Sequence, residues 1–203
     1  VDRGGDGYDS DNYGITASVT AGTADTELEP NDERNNATPL TLDTEFTGQL
    51  STTSDKDYYS IQVDGASTIS VVFDSPRNSS FDYFDVAIED SSGNVLSQIG
   101  TGSDKTFSAA VASAGTYYVR VDRGGDGYDS DNYGITASVT AGTANTELEP
   151  NNNRNNATAL TVGNKYIGQL STSSDKDYFW IQLDGASTIS VEFDSPRDSS
   201  FDY

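Results

Sequence analysis

Residues 57–73 read DYYSIQVDGASTISVVF and contain two runs in which apolar side chains occupy every second position. The first run covers 57–63 and the second covers 67–73, with Asp, Gly and Ala between them. Because successive side chains of a strand point to opposite faces, this period predicts two half-buried β-strands joined by a turn.

The same alternation recurs on both sides of this stretch, in short runs separated by Gly, Asn, Asp and Ser. No run of 11–18 residues has a helical period, and only 32–38 (DERNNAT) is compatible with a short turn of helix. Many short strands at this spacing predict an all-β fold, an antiparallel β-sandwich. The further predicted strands are 45–50, 83–89, 94–99, 105–112, 115–121 and 133–139, with a weaker one at 38–42.

The chain repeats itself. Residues 1–24 recur unchanged at 121–144, an offset of 120 residues, and ELEPND at 27–32 becomes ELEPNN at 147–152. A unit of this length suits a separate domain better than a solenoid turn of roughly 20–50 residues. We therefore predict a complete sandwich repeat at 25–144, preceded at 1–24 by the C-terminal strands of another repeat and followed at 145–203 by the N-terminal half of a third.

Differences between the copies predict which side chains face water. Val72 is replaced by Glu192, so position 72 faces outward and the neighbouring positions 71 and 73 face the core. Tyr59 is replaced by Phe179, which fits an inward aromatic side chain.

The composition restricts the function. The chain has 33 acidic and 11 basic residues, and its net charge of −22 argues against binding to nucleic acid or to an anionic membrane surface. Cys, His and Met are absent, which excludes disulfides, zinc sites built on Cys or His, and His-based catalytic triads within this sequence. No stretch has the roughly 18 apolar residues of a membrane span.

The first acidic constellation combines ELEPND at 27–32 with the turn SDKD at 54–57. In an extended segment Glu27, Glu29 and Asn31 share one face, which gives three oxygen donors for a hard cation such as Ca²⁺. The alternative is a solvated acidic linker followed by a polar turn. The remaining candidate ligands are Asp32, Asp55 and Asp57.

The second constellation is DRGGDGYDSDN, at 2–12 and again at 122–132. Its glycines let the backbone wrap, and its D-x-D spacing resembles that of calcium loops, although it is not an EF-hand. The alternative is an ordinary Asp/Gly hairpin loop without metal. The weaker candidate ligands here are Asp2, Asp6, Asp9 and Asp11 in the first copy and Asp122, Asp126, Asp129 and Asp131 in the second.

The motifs ELEPN, SDKDY(Y/F) and GTYYVRV, taken together, resemble the bacterial pre-peptidase C-terminal domain and the related collagen-binding domain of clostridial collagenases. The resemblance covers about 27–139 and implies a jelly-roll-like β-sandwich in which the ELEPN segment and the SDKD turn bind Ca²⁺. It extends the candidate site to the next copy, where Asn152 replaces Asp32 and would weaken the site if that position is a ligand. The candidates in this copy are Glu147, Glu149, Asn151, Asn152, Asp175 and Asp177.

These observations favour a calcium-binding structural or adhesive module in a long secreted or cell-surface protein, with neighbouring repeats, other copies, an extracellular polymer or a host surface as partners. Near-identical copies suit reach and multivalency, whereas clustered carboxylates without His do not indicate an enzyme. The alternative is an accessory domain of a secreted peptidase or other hydrolase that binds substrate through Tyr128, Tyr133 or Trp180. These tyrosines would instead pack over loop backbone if they are structural.

Partial repeats also predict strand exchange. Residues 1–24 of one chain would complete 145–203 of another and build an extracellular filament, because unpaired strand edges readily accept strands from other chains.

Overall fold

The computed structural model describes residues 25–142, 145–170, 172 and 174–194, together with Thr16. Residues 25–142 are almost entirely β-structure, with one turn of 3₁₀-helix at Arg34–Asn36. No described helix has the length and apolar character needed to cross a membrane. The strands are β1 Thr38–Pro39, β2 Glu45–Gly48, β3 Lys56–Val63, β4 Ser67–Asp74, β5 Ser79–Glu89, β6 Val95–Gly102, β7 Lys105–Val111, β8 Gly115–Arg123, β9 Tyr133–Ala141, β10 Thr158–Ala159 and β11 Phe179–Trp180.

Residues 25–142 form two facing sheets. One has the strand order β1-β3-β8-β5-β6 and the other the order β2-β9-β4-β7. All pairs within them are antiparallel except β1 with β3, where a two-residue strand runs parallel. The prediction of an antiparallel β-sandwich is confirmed, and the predicted strands lie within a few residues of the observed ones.

The core lies between the two sheets and is built from the apolar positions of each alternating run. The Phe73 ring of β4 lies 5.1 Å from Phe84 of β5 in the opposite sheet and 5.3 Å from Tyr133 of β9. Val71 is fully buried while Val72 is 44% exposed, as the comparison between copies predicted. Strand alternation thus determines which side chains form the core.

Residues 145–194 repeat the first pairings of the preceding unit. Thr158 pairs with Phe179 as Thr38 pairs with Tyr59, and in both copies this pairing is parallel. The positions that correspond to core residues are, however, solvent-exposed here: Val191 is 83% exposed and Phe193 is 86% exposed. The division of the whole chain into repeats stays a prediction, and residues 1–24 lie outside the described residues apart from Thr16.

Candidate metal centre

The ELEPN segment runs along the edge of β2. Thr26 forms a parallel bridge with Thr47, and the Glu27 amide donates to the Thr47 carbonyl at 3.0 Å. The SDKD turn leads directly into β3, so Asp57 lies at the start of that strand. Two segments that are distant in sequence therefore meet at one end of the sandwich.

Three predicted ligands converge at this point. Ligand atoms of Glu27, Glu29 and Asp57 all lie within 4.8 Å of one another. Asn31 is completely buried beside them. In the orientation that satisfies the Asn31 amide, its nitrogen donates to Glu29 Oε2 at 3.1 Å and to Asp57 Oδ1 at 3.2 Å.

The other two predicted ligands in this copy shape the turn. Asp55 Oδ2 accepts a hydrogen bond from the Ser51 amide at 2.5 Å, and its Oδ1 accepts one from the Lys56 amide at 3.0 Å. Asp32 Oδ1 also accepts from the Lys56 amide, at 3.3 Å. Asp32 and Asp55 line a surface cleft together with Glu29, next to the three converging carboxylates.

Two tyrosine hydroxyls complete the centre. The Tyr59 hydroxyl donates to Glu27 Oε2 at 3.0 Å and lies 2.8 Å from the Tyr133 hydroxyl, which in turn donates to Asp57 Oδ2. Both hydroxyls approach Gly48 so closely that a Cβ there would lie 2.2 Å from the Tyr59 oxygen and 2.5 Å from that of Tyr133. Position 48 must therefore be glycine. Strand alternation placed Tyr59 inside, but nothing in the sequence identified the acidic partners of the two hydroxyls.

Burial makes this centre unfavourable for negative charge. It raises the pKa of Asp57 to about 9, with further contributions from Glu27, Asp55 and Glu29, while the Tyr133 hydrogen bond opposes the shift. Burial likewise raises the pKa of both Glu27 and Glu29. None of the ion pairs within the described residues involves these three carboxylates. A bound cation would supply the missing positive charge.

The second copy assembles the same group. Glu147, Glu149 and Asp177 have ligand atoms within 4.8 Å of one another, and Asn151 is completely buried among them. The Asn151 amide nitrogen donates to Glu147 Oε2 at 3.3 Å. Burial raises the pKa of Glu147 to about 8 and that of Glu149 to about 7, and it also raises the pKa of Asp177.

Three oxygens of this copy are buried without a hydrogen-bond partner: Glu149 Oε1, Asn151 Oδ1 and Asp177 Oδ1. Buried polar atoms are nearly always hydrogen-bonded, so three orphaned acceptors in one cluster fit a cation-binding site. Oxygen-only donors of this kind match the preference of Ca²⁺. Asn152 accepts from the Lys176 amide at 2.9 Å, so it takes over the backbone contact of Asp32.

The acidic loop after β8 is organised differently. Asp122 pairs with Lys56 Nζ and Arg120 Nη1, each at 3.0 Å, and Asp126 Oδ2 accepts from the Asp82 amide at 2.9 Å. Asp129 is buried against Arg77 and accepts from the Asp131 amide at 2.9 Å. These acids belong to neither of the two carboxylate groups found among the described residues. Their role as ligands stays a prediction, and Asp2, Asp6, Asp9 and Asp11 lie outside those residues.

The aromatic residues proposed for substrate binding separate into two kinds. Tyr133 is buried, and the Tyr128 hydroxyl donates to the Leu50 carbonyl at 2.8 Å, so both pack within the domain. Trp180 is 50% exposed.

Part of the sandwich matches a known protein family. Residues 55–123 match the bacterial pre-peptidase C-terminal domain. The match confirms the resemblance read from the motifs and includes the turn and strand that carry Asp55 and Asp57. No curated protein matches this chain.

Solved structures with similar folds include a pre-peptidase C-terminal domain, that of a collagenase from Bacillus anthracis. It has 19% identity and a TM-score of 0.41, with 50% of this chain and 94% of that chain covered. PliG from Aeromonas hydrophila, a periplasmic lysozyme inhibitor of g-type lysozyme, has 12% identity and a TM-score of 0.39, covering 51% and 96%. PliG from Salmonella Typhimurium has 14% identity and a TM-score of 0.35, covering 51% and 98%.

Proposed function

We propose that this chain is a calcium-binding structural or adhesive repeat module of a long secreted or cell-surface bacterial protein. The observation that carries the proposal is the convergence of Glu27, Glu29 and Asp57 within 4.8 Å, repeated at Glu147, Glu149 and Asp177. Pre-peptidase C-terminal domains occur in secreted proteins as accessory parts, which is consistent with a binding or structural role.

Calcium fits this donor set better than a smaller cation. Ca²⁺ takes six to eight oxygens in flexible geometry, whereas Mg²⁺ demands a near-ideal octahedron and keeps several waters. Carboxylates from two segments, with a buried amide oxygen in the second copy, supply hard oxygen donors only. The cation would also relieve the repulsion of a chain with a net charge of −22.

Thermal unfolding of the 203-residue chain in chelator and in Ca²⁺ tests the proposal. Binding only to the folded state at a hundred times the Kd contributes about 2.7 kcal/mol, or roughly 5–10 °C in Tm for a chain of this size. The double variant Asp57→Asn with Asp177→Asn should lose this gain. The control Asp126→Asn lies in the second acidic loop and should keep it, unless that loop is the true site. A wild-type Tm that Ca²⁺ leaves unchanged at low salt would refute calcium binding.

A second proposal is that copies of the chain assemble by strand exchange into filaments. Ile189, Val191 and Phe193 are exposed, whereas their equivalents Ile69, Val71 and Phe73 are fully buried. Residues 1–24 are identical to 121–144, which contain β9, the strand that pairs with β4. Sedimentation analysis should show concentration-dependent assembly that is lost on deletion of 1–24, and a monomer at every concentration would contradict it.

The competing function is a substrate-binding accessory domain of a secreted peptidase or other hydrolase. Exposure of Trp180 is the observation that favours it. Pull-down on insoluble polymers such as collagen distinguishes the two, because an accessory binder should lose retention in Trp180→Ala.

A further inference from the structure

The segment 145–149 forms backbone hydrogen bonds with two different repeats. Within its own repeat, the Glu147 amide donates to the Ile167 carbonyl at 2.9 Å and the Ile167 amide donates to Asn145 at 3.0 Å. Two residues later, the Glu149 amide donates to the Ala110 carbonyl at 2.8 Å. Ala110 belongs to β7 of the preceding repeat, and Glu149 forms a parallel bridge with its neighbour Val111.

Strand β7 is well suited to accept this segment because it lies at the edge of its sheet. Its partner on one side is β4, and no named strand pairs with the other side within the described residues. Such an edge presents unpaired backbone N–H and C=O groups, and an extended segment readily forms hydrogen bonds with them. The ELEPN segment therefore links the four-stranded sheet of one repeat to the start of the next.

The first copy provides a matched comparison. Its segment makes the same pairing with its own repeat, because Glu27 and Asp25 bond to Thr47 at 3.0 Å. At the 120-residue offset the counterpart of β7 would lie before residue 1, so the first copy shows this segment without a docking strand. Glu29 is exposed and Leu28 is 66% exposed, whereas Glu149 is 5% exposed and Leu148 is half-buried. Docking on the preceding repeat thus takes Leu148 and Glu149 out of water.

Docking adds a buried carboxylate, that of Glu149, to a group whose Asn151 is buried as Asn31 is in the first copy. Glu149 Oε1 and Asp177 Oδ1 are buried and have no hydrogen-bond partner, and Asn151, completely buried, presents an unpartnered oxygen to the same cluster. A desolvated carboxylate without a compensating charge is unfavourable. Docking buries the Glu149 side chain, and a bound cation would compensate its charge. By linkage, docking then raises the affinity for the cation by the same factor by which the cation raises the equilibrium constant for docking.

We propose that residues 147–151 form a cation-dependent clamp between successive repeats. A divalent cation held by Glu147, Glu149 and Asp177 stabilises the docking of Glu149 on β7 of the preceding repeat. The clamp rests on the proposed cation binding and adds a role for it. Bound Ca²⁺ fixes the angle between neighbouring repeats and so makes the chain of repeats stiffer.

The first test measures coupling in the 203-residue chain. In the background Asp57→Asn only the second group remains intact, and calorimetric titration with Ca²⁺ reports its affinity. Leu148 lines a surface cleft together with Ala112 and Tyr117 of the preceding repeat. Leu148→Gln makes this lining polar without altering a ligand, and it should weaken binding by about fivefold or more, the lower end of typical coupling. The matched control is Leu28→Gln in the background Asp177→Asn, where affinity should change less than twofold. Equal effects of the two substitutions would overturn the clamp.

The second test measures geometry. The chain has no cysteine, so nitroxides can be placed at Ser92→Cys in the preceding repeat and at Val162→Cys in the following one, both exposed. Pulsed electron paramagnetic resonance should give a narrow distance distribution in Ca²⁺ and a broad one in chelator, and Leu148→Gln should keep it broad. If Ca²⁺ binds but leaves the distribution unchanged, the clamp is wrong and calcium binding stands. If Ca²⁺ does not bind the wild-type chain, both are wrong.

Discussion

Asp57 is the residue of the candidate centre whose surroundings are least favourable for negative charge. Its side chain is fully buried, it faces Glu27 and Glu29, and it accepts hydrogen bonds from the Tyr133 hydroxyl and the Asn31 amide. No Lys or Arg side chain among the described residues forms an ion pair with this carboxylate. Its position is determined by packing and by its hydrogen bonds. Charge at this position therefore opposes folding until a metal ion compensates it.

The substitution Asp57→Asn separates folding from binding. The amide has nearly the same shape and, unlike Asp57, takes up no proton when the metal-free chain folds at neutral pH. We therefore expect the metal-free chain to gain at least about 1 kcal/mol, or roughly 2–4 °C in Tm. The calcium-dependent stabilisation of this copy should be lost at the same time. Calorimetric melting in chelator and in Ca²⁺ measures both effects. A variant less stable than the wild type in chelator would show that the Asp57 charge is already compensated.

The raised pKa of Asp57 predicts a pH dependence with a definite sign. The folded chain holds this proton up to about pH 9, whereas the unfolded chain releases it near 3.8, so the folded state binds more protons between these values. Stability in chelator should therefore fall as pH rises through this window. The proposed Ca²⁺ ligand is the ionised carboxylate, so under this proposal added Ca²⁺ should reduce or reverse the fall.

Melting curves from pH 5 to 9 check this expectation, with Asp57→Asn as the control that should flatten the chelator curve. Curves that fall in parallel with and without Ca²⁺ would contradict it, because a shared slope would arise from groups that the metal does not touch.

At this scale the sequence revealed the acids but not their setting. Spacing placed Glu27, Glu29 and Asn31 on one face, and the acidic turn before the next strand offered Asp57 as a further ligand. The resemblance to a family implied the same set. The hydroxyl of Tyr133 could not be foreseen, because it reaches Asp57 from a strand 76 positions further along the chain. Side-chain contacts across two sheets depend on packing that no local pattern encodes.

Among the elements, β4 tests the alternation most directly because it pairs with β7 on one side and β9 on the other. Val71 and Val72 are neighbours with the same side chain, yet one is fully buried and the other is 44% exposed. Val71→Ala should lower the free energy of unfolding by about 2 kcal/mol through lost burial and a cavity. Val72→Ala, the matched control, should change it by less than about 0.5 kcal/mol. Urea unfolding of both variants measures the two losses. Equal losses would mean that Val71 does not point to the core and Val72 to solvent.

The strands also show which boundaries and pairings the sequence pattern predicts and which it does not. Strands β3, β4 and β9 follow strict alternation and were predicted within two residues at each end. Strand β5 begins at Ser79, four residues before the predicted start, because its first four residues are half-buried or exposed and have no apolar period. The parallel pairing of the two-residue strand β1 with β3 has no sequence signal at all, since it depends on where the preceding segment enters the sheet.

At the scale of the whole molecule, the two copies allow equivalent positions to be compared within one chain. Equivalent residues have nearly the same local sequence, so differences in their stability must come from tertiary surroundings. Ile61 and Val71 lie in the closed sandwich, while Val191 is 83% exposed and Ile181 is only partly buried. The sequence predicted the repeat unit, but burial depends on which strands are present to cover each face.

Amide hydrogen exchange should therefore be slow in the closed sandwich and fast at the equivalent positions of the second copy. At low micromolar concentration we expect the amides of Ile61 and Val71 to exchange at least about a hundredfold more slowly than those of Ile181 and Val191, because local opening is governed by packing around each amide. Exchange followed by nuclear magnetic resonance compares these matched positions within one sample. Slowing at 181 and 191 with rising concentration would show that another copy supplies the covering strands. Equal protection at the lowest concentration would contradict the expectation, since amides in a partly exposed segment are less protected than amides in a closed sandwich.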